Sequence, residues 1–265
     1  MNRYRFEDAN GNYIDVNNSL IPEGMSNTFV PSSEKFASDI KVIEKTFLDG
    51  GVFTGAIRLK SNEIEFKCSL DGFGEVDTIF RSTFNNIMFW ARKTVLIKDI
   101  ILGLEKVVRF SDSGIKYEDF LRSGNMTLSF KSLNPFWEKT IPNIETISGS
   151  SGSMIGTISI TNNGVIEALP VITINAHELT SKILFHIPST NQGIYIKDIQ
   201  FGLVGLTQYI INNNDGSIKL SGNRRNQMID FGSGPFTFPV GTFDLDYSLN
   251  GDCDVSISFK ERFYI

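Results

Sequence analysis

The sequence predicts a mainly β protein: an α+β N-terminal domain with one amphipathic helix packed on strands, then an all-β sandwich or jelly roll. Three observations carry that reading. Period-2 alternation of apolar and polar residues recurs along most of the chain. Helical periodicity is confined to the stretch from Glu75 to Arg92. The chain changes character after Asn125–Glu138, where an alternating run (Met126, Leu128, Phe130 against Thr127, Ser129, Lys131) meets Leu133-Asn134-Pro135-Phe136-Trp137-Glu138.

Strands of the first half are expected at Tyr13 to Val16, in part of Lys35 to Phe47, and at Gly55 to Lys60, Ile64 to Leu70, Thr94 to Leu104, Glu105 to Phe110 and Asn125 to Lys131. The helix is expected over 75–92. There Val76, Ile79, Phe80, Phe84, Ile87, Met88 and Ala91 recur at three- and four-residue steps, with Asp77, Arg81, Asn85 and Arg92 opposite. Gly74 opens it, and Arg92-Lys93 closes it in keeping with the helix dipole. Such a stripe packs on a sheet and implies no cofactor.

Pro135 cannot donate to a ladder and pushes Asn134 into an extended conformation, so the last strand ends there. Pro135, Phe136 and Trp137 are thus read as a structural junction. From Lys139 to Gly156 large apolar residues are scarce and Ser148-Gly149-Ser150-Ser151-Gly152-Ser153 intervenes, the composition of a flexible connection. The boundary is placed near residue 145, giving domains 1–145 and 146–265. Halves of about 140 and 120 residues are each large enough for their own core.

In the second half, runs at Gly156 to Thr161, Val171 to Asn175, Ile183 to Ile187, Ile194 to Phe201, Gln208 to Asn212, Ser217 to Leu220, Gly241 to Leu249 and Asp254 to Lys260 read as sandwich strands. Asn214-Asp215-Gly216 and Asn250-Gly251 read as hairpin turns. The last of these is expected to pair Phe243, Leu245 and Tyr247 with Val255, Ile257 and Phe259 on one face.

The 265 residues carry a formal charge of −5, with 18 basic against 19 acidic residues up to Thr140 and 7 against 11 after it. No basic patch forms, which argues against a protein that grips nucleic acid. The N-terminus lacks the apolar core of a secretory signal, and Lys98 and Asp99 cut the most apolar stretch, so neither a membrane anchor nor a secretory leader is expected. Cys68 and Cys253 each sit in an alternating run and read as small buried hydrophobes of an intracellularly made protein.

A catalytic constellation does not assemble. His177 and His186 lie in strand-like sequence far from either cysteine, and Gly202-Leu203-Val204-Gly205 lacks the residues and setting of a phosphate loop. No catalytic residue, cofactor or metal is therefore assigned. The one acidic cluster, Asp244, Asp246, Asp252 and Asp254, could direct oxygen ligands at Ca²⁺ if the final hairpin brings the four together; the alternative is a solvated face. Both tryptophans, Trp90 and Trp137, lie in the first half, which gives a sugar platform in the sandwich little support.

These features together resemble the distal tail proteins (Dit) of long, flexible-tailed bacteriophages, in the short form without large carbohydrate-binding insertions. The resemblance rests on a first domain closing at Leu128-Ser129-Phe130-Lys131-Ser132-Leu133-Asn134-Pro135-Phe136, then on Asn214-Asp215-Gly216-Ser217-Ile218-Lys219-Leu220-Ser221-Gly222-Asn223. It continues through Phe236-Thr237-Phe238-Pro239-Val240-Gly241 and the terminal run Ser256 to Tyr264. Pro239-Val240-Gly241 departs from the family's adjacent proline and glycine. The resemblance implies a galectin-like or jelly-roll-like second domain and a non-enzymatic ring, a homo-hexamer built by the N-terminal domains. It also implies the major tail tube protein, a tail-associated hub protein and receptor-binding or baseplate proteins as partners. The location implied is the distal end of the virion tail, after synthesis in the host bacterial cytoplasm, with DNA passing through the lumen without specific binding. A tail-tip adhesin that binds carbohydrate and a tail tube subunit are the alternative roles; the second β-domain favours the adaptor over the tube subunit.

Overall fold

The computed structural model describes residues 4–16, 26–27, 30–35, 38–39, 42–44, 51–53, 58–59, 62–71, 77–111, 120, 125–132, 134, 136–148, 153–177, 182–197, 207–226, 229 and 233–264. It divides into two compact units: Met1–Thr140 with Tyr264–Ile265, and Ile141–Phe263.

The N-terminal unit begins with β1 (Tyr4–Asp8) and β2 (Tyr13–Asp15), followed by the short β3 (Ser26–Asn27), β4 (Val30–Lys35), β5 (Ser38–Asp39), β6 (Val42–Glu44), β7 (Gly51–Phe53) and β8 (Arg58–Leu59). Then come β9 (Asn62–Asp71), helix α1 (Asp77–Lys93), β10 (Thr94–Asp99), β11 (Leu104–Val107), β12 (Arg109–Ser111), β13 (Asn125–Ser132) and β14 (Trp137–Lys139). One sheet runs β2-β1-β10-β11-β14 and a second runs β12-β13-β9-β3, with β4 also on β9. Phe6 from the first sheet meets Phe66 and Phe130 from the second edge-to-face, at ring separations of 5.4 and 5.2 Å. All three rings are fully buried, so an aromatic cluster joins the two sheets.

Helix α1 buries Ile87, Met88 and Ala91 and exposes Arg81, Asn85 and Arg92, as the stripe requires. Thr94 Oγ1 donates to the Trp90 carbonyl at 2.7 Å, satisfying one carbonyl of the last turn. The side chains of Val76, Asp77, Ile79 and Phe80, and Gly74, lie outside the described residues, as does Cys68.

Two sequence expectations need correction. Thr94 to Leu104 is not one strand: Ile100–Gly103 form the turn between β10 and β11. The cause is Asp99, whose Oδ1 accepts the N–H groups of Ile101 and Leu102, both at 3.1 Å, while Gly103 takes φ +65°. The aliphatic run Ile100-Ile101-Leu102 mimics strand composition yet stands exposed at the turn. Nor is Lys139 to Gly156 a flexible connection throughout. Asn143–Ser148 is strand β15 and Ser153–Asn162 is β16, both edge strands, with Thr146, Ser148, Thr157, Ser159 and Thr161 on the solvent side. Hydroxyl-rich edges read like linker by composition alone. Residues 149–152 lie outside the description.

The C-terminal unit continues with β17 (Val171–Ala176), β18 (Lys182–Ile187), β19 (Gln192–Lys197), β20 (Thr207–Asn212), β21 (Ser217–Leu220), β22 (Asn223–Arg224), β23 (Gly241–Asn250) and β24 (Cys253–Phe259). They form two antiparallel sheets, β15-β24-β17-β20-β21-β22 and β16-β23-β18-β19. Their inner rows, among them Ile172, Ile174, Ile257, Ile183, Phe185 and Leu245, share one core. This is a β-sandwich.

Candidate functional site

The Asn214-Asp215-Gly216 turn joins β20 to β21, paired Tyr209 to Leu220 through Asn212 to Ser217, with Gly216 at φ +63°. The final pair of runs behaves otherwise. β23 pairs with β16 and β18, whereas β24 pairs with β15 and β17, so Asn250-Gly251 carries the chain from one sheet to the other. Phe243, Leu245, Val255 and Ile257 do share a core, but they face it from opposed sheets. Alternation looks the same in either arrangement, since it reports only which side is inward.

That crossover decides the fate of the aspartate cluster. Asp244 and Asp246 stand on the outer face of the β16-β23-β18-β19 sheet, where Asp246 Oδ1 accepts from Thr157 Oγ1 at 2.6 Å. Asp254 belongs to the other sheet, and Asp252 immediately precedes its strand. The four carboxylates do not converge, and among the described residues no group of three or more His, Cys, Asp or Glu is placed to hold a metal.

Asp254 is instead taken by His177. Their Nε2 and Oδ2 atoms are 3.0 Å apart, and the His177 N–H donates to the Asp252 carbonyl at 2.8 Å. The hydrogen bond to Asp254 pushes the His177 imidazole above its usual range, and His177 in turn holds the Asp254 carboxyl below its own. Both side chains are substantially exposed. His186 lies on the other sheet opposite Asp246, 3.2 Å from Asn191 Oδ1. Neither histidine has a nucleophile beside it in these contacts. Cys253 is fully buried, 3.5 Å from Met154 Sδ, and burial pushes its thiol up to about 11, so it remains protonated and inert.

Of the junction residues, Pro135 lies outside the described residues. Trp137 is buried in β14, with Lys106 Nζ 5.5 Å from its ring. Phe136 packs edge-on against Tyr264, ring centres 5.3 Å apart. Asn134 fixes the corner: its Oδ1 accepts the Phe136 N–H at 3.1 Å and its Nδ2 donates to Glu138 Oε1 at 2.7 Å. Gly202–Gly205 also lie outside the description.

Sequence reading missed a set of buried polar clamps in the sandwich. Asn162, fully buried, donates through Nδ2 to the carbonyls of Ile166 and Phe238 at 3.1 and 3.2 Å and accepts the Gly164 N–H at 3.0 Å. Asn213 donates to the Pro170 carbonyl at 2.9 Å and accepts the Phe236 N–H at 2.8 Å. Glu261 Oε1 accepts from the side-chain amides of Asn143 and Asn163 at 3.0 and 3.1 Å. These groups hold loops in place; their chemistry is structural. The available signal was an Asn or Glu at the end of each apolar run, a position that loops share.

Among the described residues these contacts build no active-site constellation. Residues 163–263 match the family model described as the siphovirus-type tail component, C-terminal domain. That segment of the C-terminal unit is therefore similar to a phage tail-component domain. In fold the chain resembles the Dit protein of phage SPP1, described as a paradigm of the hub adsorption apparatus in phages infecting Gram-positive bacteria. That likeness has a TM-score of 0.59 at 14% identity, over 89% of this chain and 93% of that one. A chain of the phage P2 baseplate in its activated conformation with Ca aligns at TM-score 0.45 and 13% identity, over 98% of this chain and 97% of that one. No curated protein matches the chain by sequence. The resemblance seen in the terminal runs of the sequence is thus met by a family model over the sandwich and by a Dit-like fold over most of the chain.

Proposed function

We propose that the protein is a structural, non-enzymatic component of a siphophage tail. In this reading it forms a hexameric ring that joins the distal end of the tail tube to the baseplate or tail-tip hub. The observation that carries it is the tail-component match over residues 163–263 within a chain whose fold is Dit-like over 89% of its length. The N-terminal unit supplies surface of a kind that assembly requires: Val95, Ile100, Ile101, Leu102 and Val107 are exposed on β10, β11 and the turn between them. A group of exposed aliphatics is costly on an isolated protein and is relieved when copies pack head to tail in a closed ring. On this account the tail tube protein and a hub protein contact opposite sides of the ring, and the virion carries it at the distal end of the tail.

The test is absolute mass in solution across a concentration series, followed by imaging. Six copies of the 29.6 kDa chain in a ring are expected, directly or on adding a tube or hub subunit. A strict monomer under both conditions overturns the ring.

A further inference from the structure

Among the described residues the C-terminal sandwich has four strand edges, and three are guarded against pairing. β22 is only two residues long. β15 places Glu145 opposite Ile257, on its core-facing side, and an inward charge blocks an added strand. β19 is covered: the Tyr195 N–H donates to Ser233 Oγ at 3.1 Å, that hydroxyl donates to the Tyr195 carbonyl at 3.2 Å, and the Gly234 N–H donates to the Gly193 carbonyl at 3.2 Å.

The fourth edge, β16, has none of these devices. It is ten residues long, Ser-Met-Ile-Gly-Thr-Ile-Ser-Ile-Thr-Asn, without charge or proline, and no described residue bonds to the side facing away from β23. Gly156 sits at its centre, where a glycine weakens a strand unless something must pass close by. Here the Tyr247 side chain does: a Cβ at Gly156 would lie 2.5 Å from the Tyr247 hydroxyl. The phenol, on the core side beside Phe185, thus crosses over Gly156 toward the open edge and stays half-buried. On the outer face Thr157 and Ser159 are short, and directly behind them stand Asp246 and Asp244.

We propose that the outer edge of β16 is a docking site for an extended segment of a partner protein, added as a fifth strand to the β16-β23-β18-β19 sheet. Its core-side residues cover Tyr247. Its outward positions opposite Thr157 and Ser159 carry Lys or Arg, whose long side chains pass over the short hydroxyls to Asp246 and Asp244. Charge selects this occupant over a second copy, because β16 itself brings no cation to the aspartates. The site goes beyond the ring and does not depend on it.

A direct test uses the full chain and two fluorescent ten-residue peptides, one alternating valine with lysine, the other valine with glutamate. The lysine peptide is expected to bind about tenfold or more tightly than the glutamate peptide, with the gap closing at high salt. Binding should slow hydrogen exchange at β16 amides, and the surface variant Asp244→Lys/Asp246→Lys should reverse the preference. Equal affinity for the two peptides, protection at another edge, or failure of the variant to change the preference overturns the proposal. So does a doubling of mass without peptide that protects β16, which makes a second copy the occupant.

Discussion

The two units solve the same packing problem with different chemistry. In the N-terminal unit the sheets meet through aromatic rings, Phe6, Phe66 and Phe130, and no buried asparagine of the described residues is needed to hold them. In the C-terminal unit isoleucine rows fill the core, while buried Asn162, Asn213 and Glu261 tie loops to partners far along the chain, as from Asn162 to Phe238. The difference teaches where fold information resides. An aromatic cluster sets the distance between sheets but is tolerant of loop path; a clamp with three directional bonds fixes the path itself.

The largest expected effect tests the aromatic side of that contrast. Phe66 is fully buried and packs edge-on with Tyr4, Phe6 and Phe130. Phe66→Ala should cost about 3–5 kcal/mol of unit stability through lost burial and a cavity. Both tryptophans, Trp90 and Trp137, lie in the N-terminal unit, so fluorescence follows that unit alone during urea unfolding. A transition unmoved in fluorescence would mean that the cluster is not what joins the sheets.

The clamp side is probed by Asn162→Leu, which keeps volume but removes the partner of the Gly164 N–H and the amide donor to the Ile166 and Phe238 carbonyls, the second of which keeps the Ala168 N–H at 2.9 Å. A loss of about 2–3 kcal/mol is expected, since each buried unsatisfied group costs about 1–3 kcal/mol and some regain water. It should appear in far-UV circular dichroism, with the tryptophan signal unchanged. An effect as small as that of a surface change would show the clamps to be incidental.

Two glycines then sharpen the contrast within one sheet. A Cβ at Gly193 would overlap the Phe185 carbonyl, which is backbone and cannot yield, whereas at Gly156 it meets only the end of the Tyr247 side chain. Gly193→Ala should therefore destabilise by about 1–3 kcal/mol, and Gly156→Ala by less, with the Tyr247 ring displaced. Thermal unfolding of the pair measures the gap; equal losses would mean that Tyr247 is as fixed as the backbone.

Much of this was legible. The helical stripe needed only its period, and the sandwich strands fall within a few residues of their alternating runs because each buries one face. One error came from a limit of periodicity: alternation reports inward and outward, not which strand pairs with which. It therefore read the β23 and β24 runs as a hairpin when they face each other across the core. The Ile100-Ile101-Leu102 turn failed differently, because one carboxylate, Asp99, outweighed three strand-forming side chains by binding the N–H groups of Ile101 and Leu102. The clamps were invisible because a buried asparagine is defined by partners that only the folded chain supplies.

The smallest effect is set by pH. His177 has its folded pKa raised by Asp254, so its contribution is fully present below the unfolded value near 6.5 and fades as pH rises through the higher folded value. Asp254 has its folded pKa lowered by His177, so its contribution is present above its unfolded value and is lost as pH falls through the folded one. The pair is therefore fully in force between the two unfolded values, 3.8 for Asp254 and 6.5 for His177, and fades beyond either end. His177→Ala should lower Tm slightly near pH 5.5 and leave it unchanged at pH 8.5, with salt eroding the difference because both groups are exposed. A loss that is equal at both pH values would assign the role of His177 to packing or to its backbone bond with Asp252, and the outer face of this sheet would then owe nothing to charge.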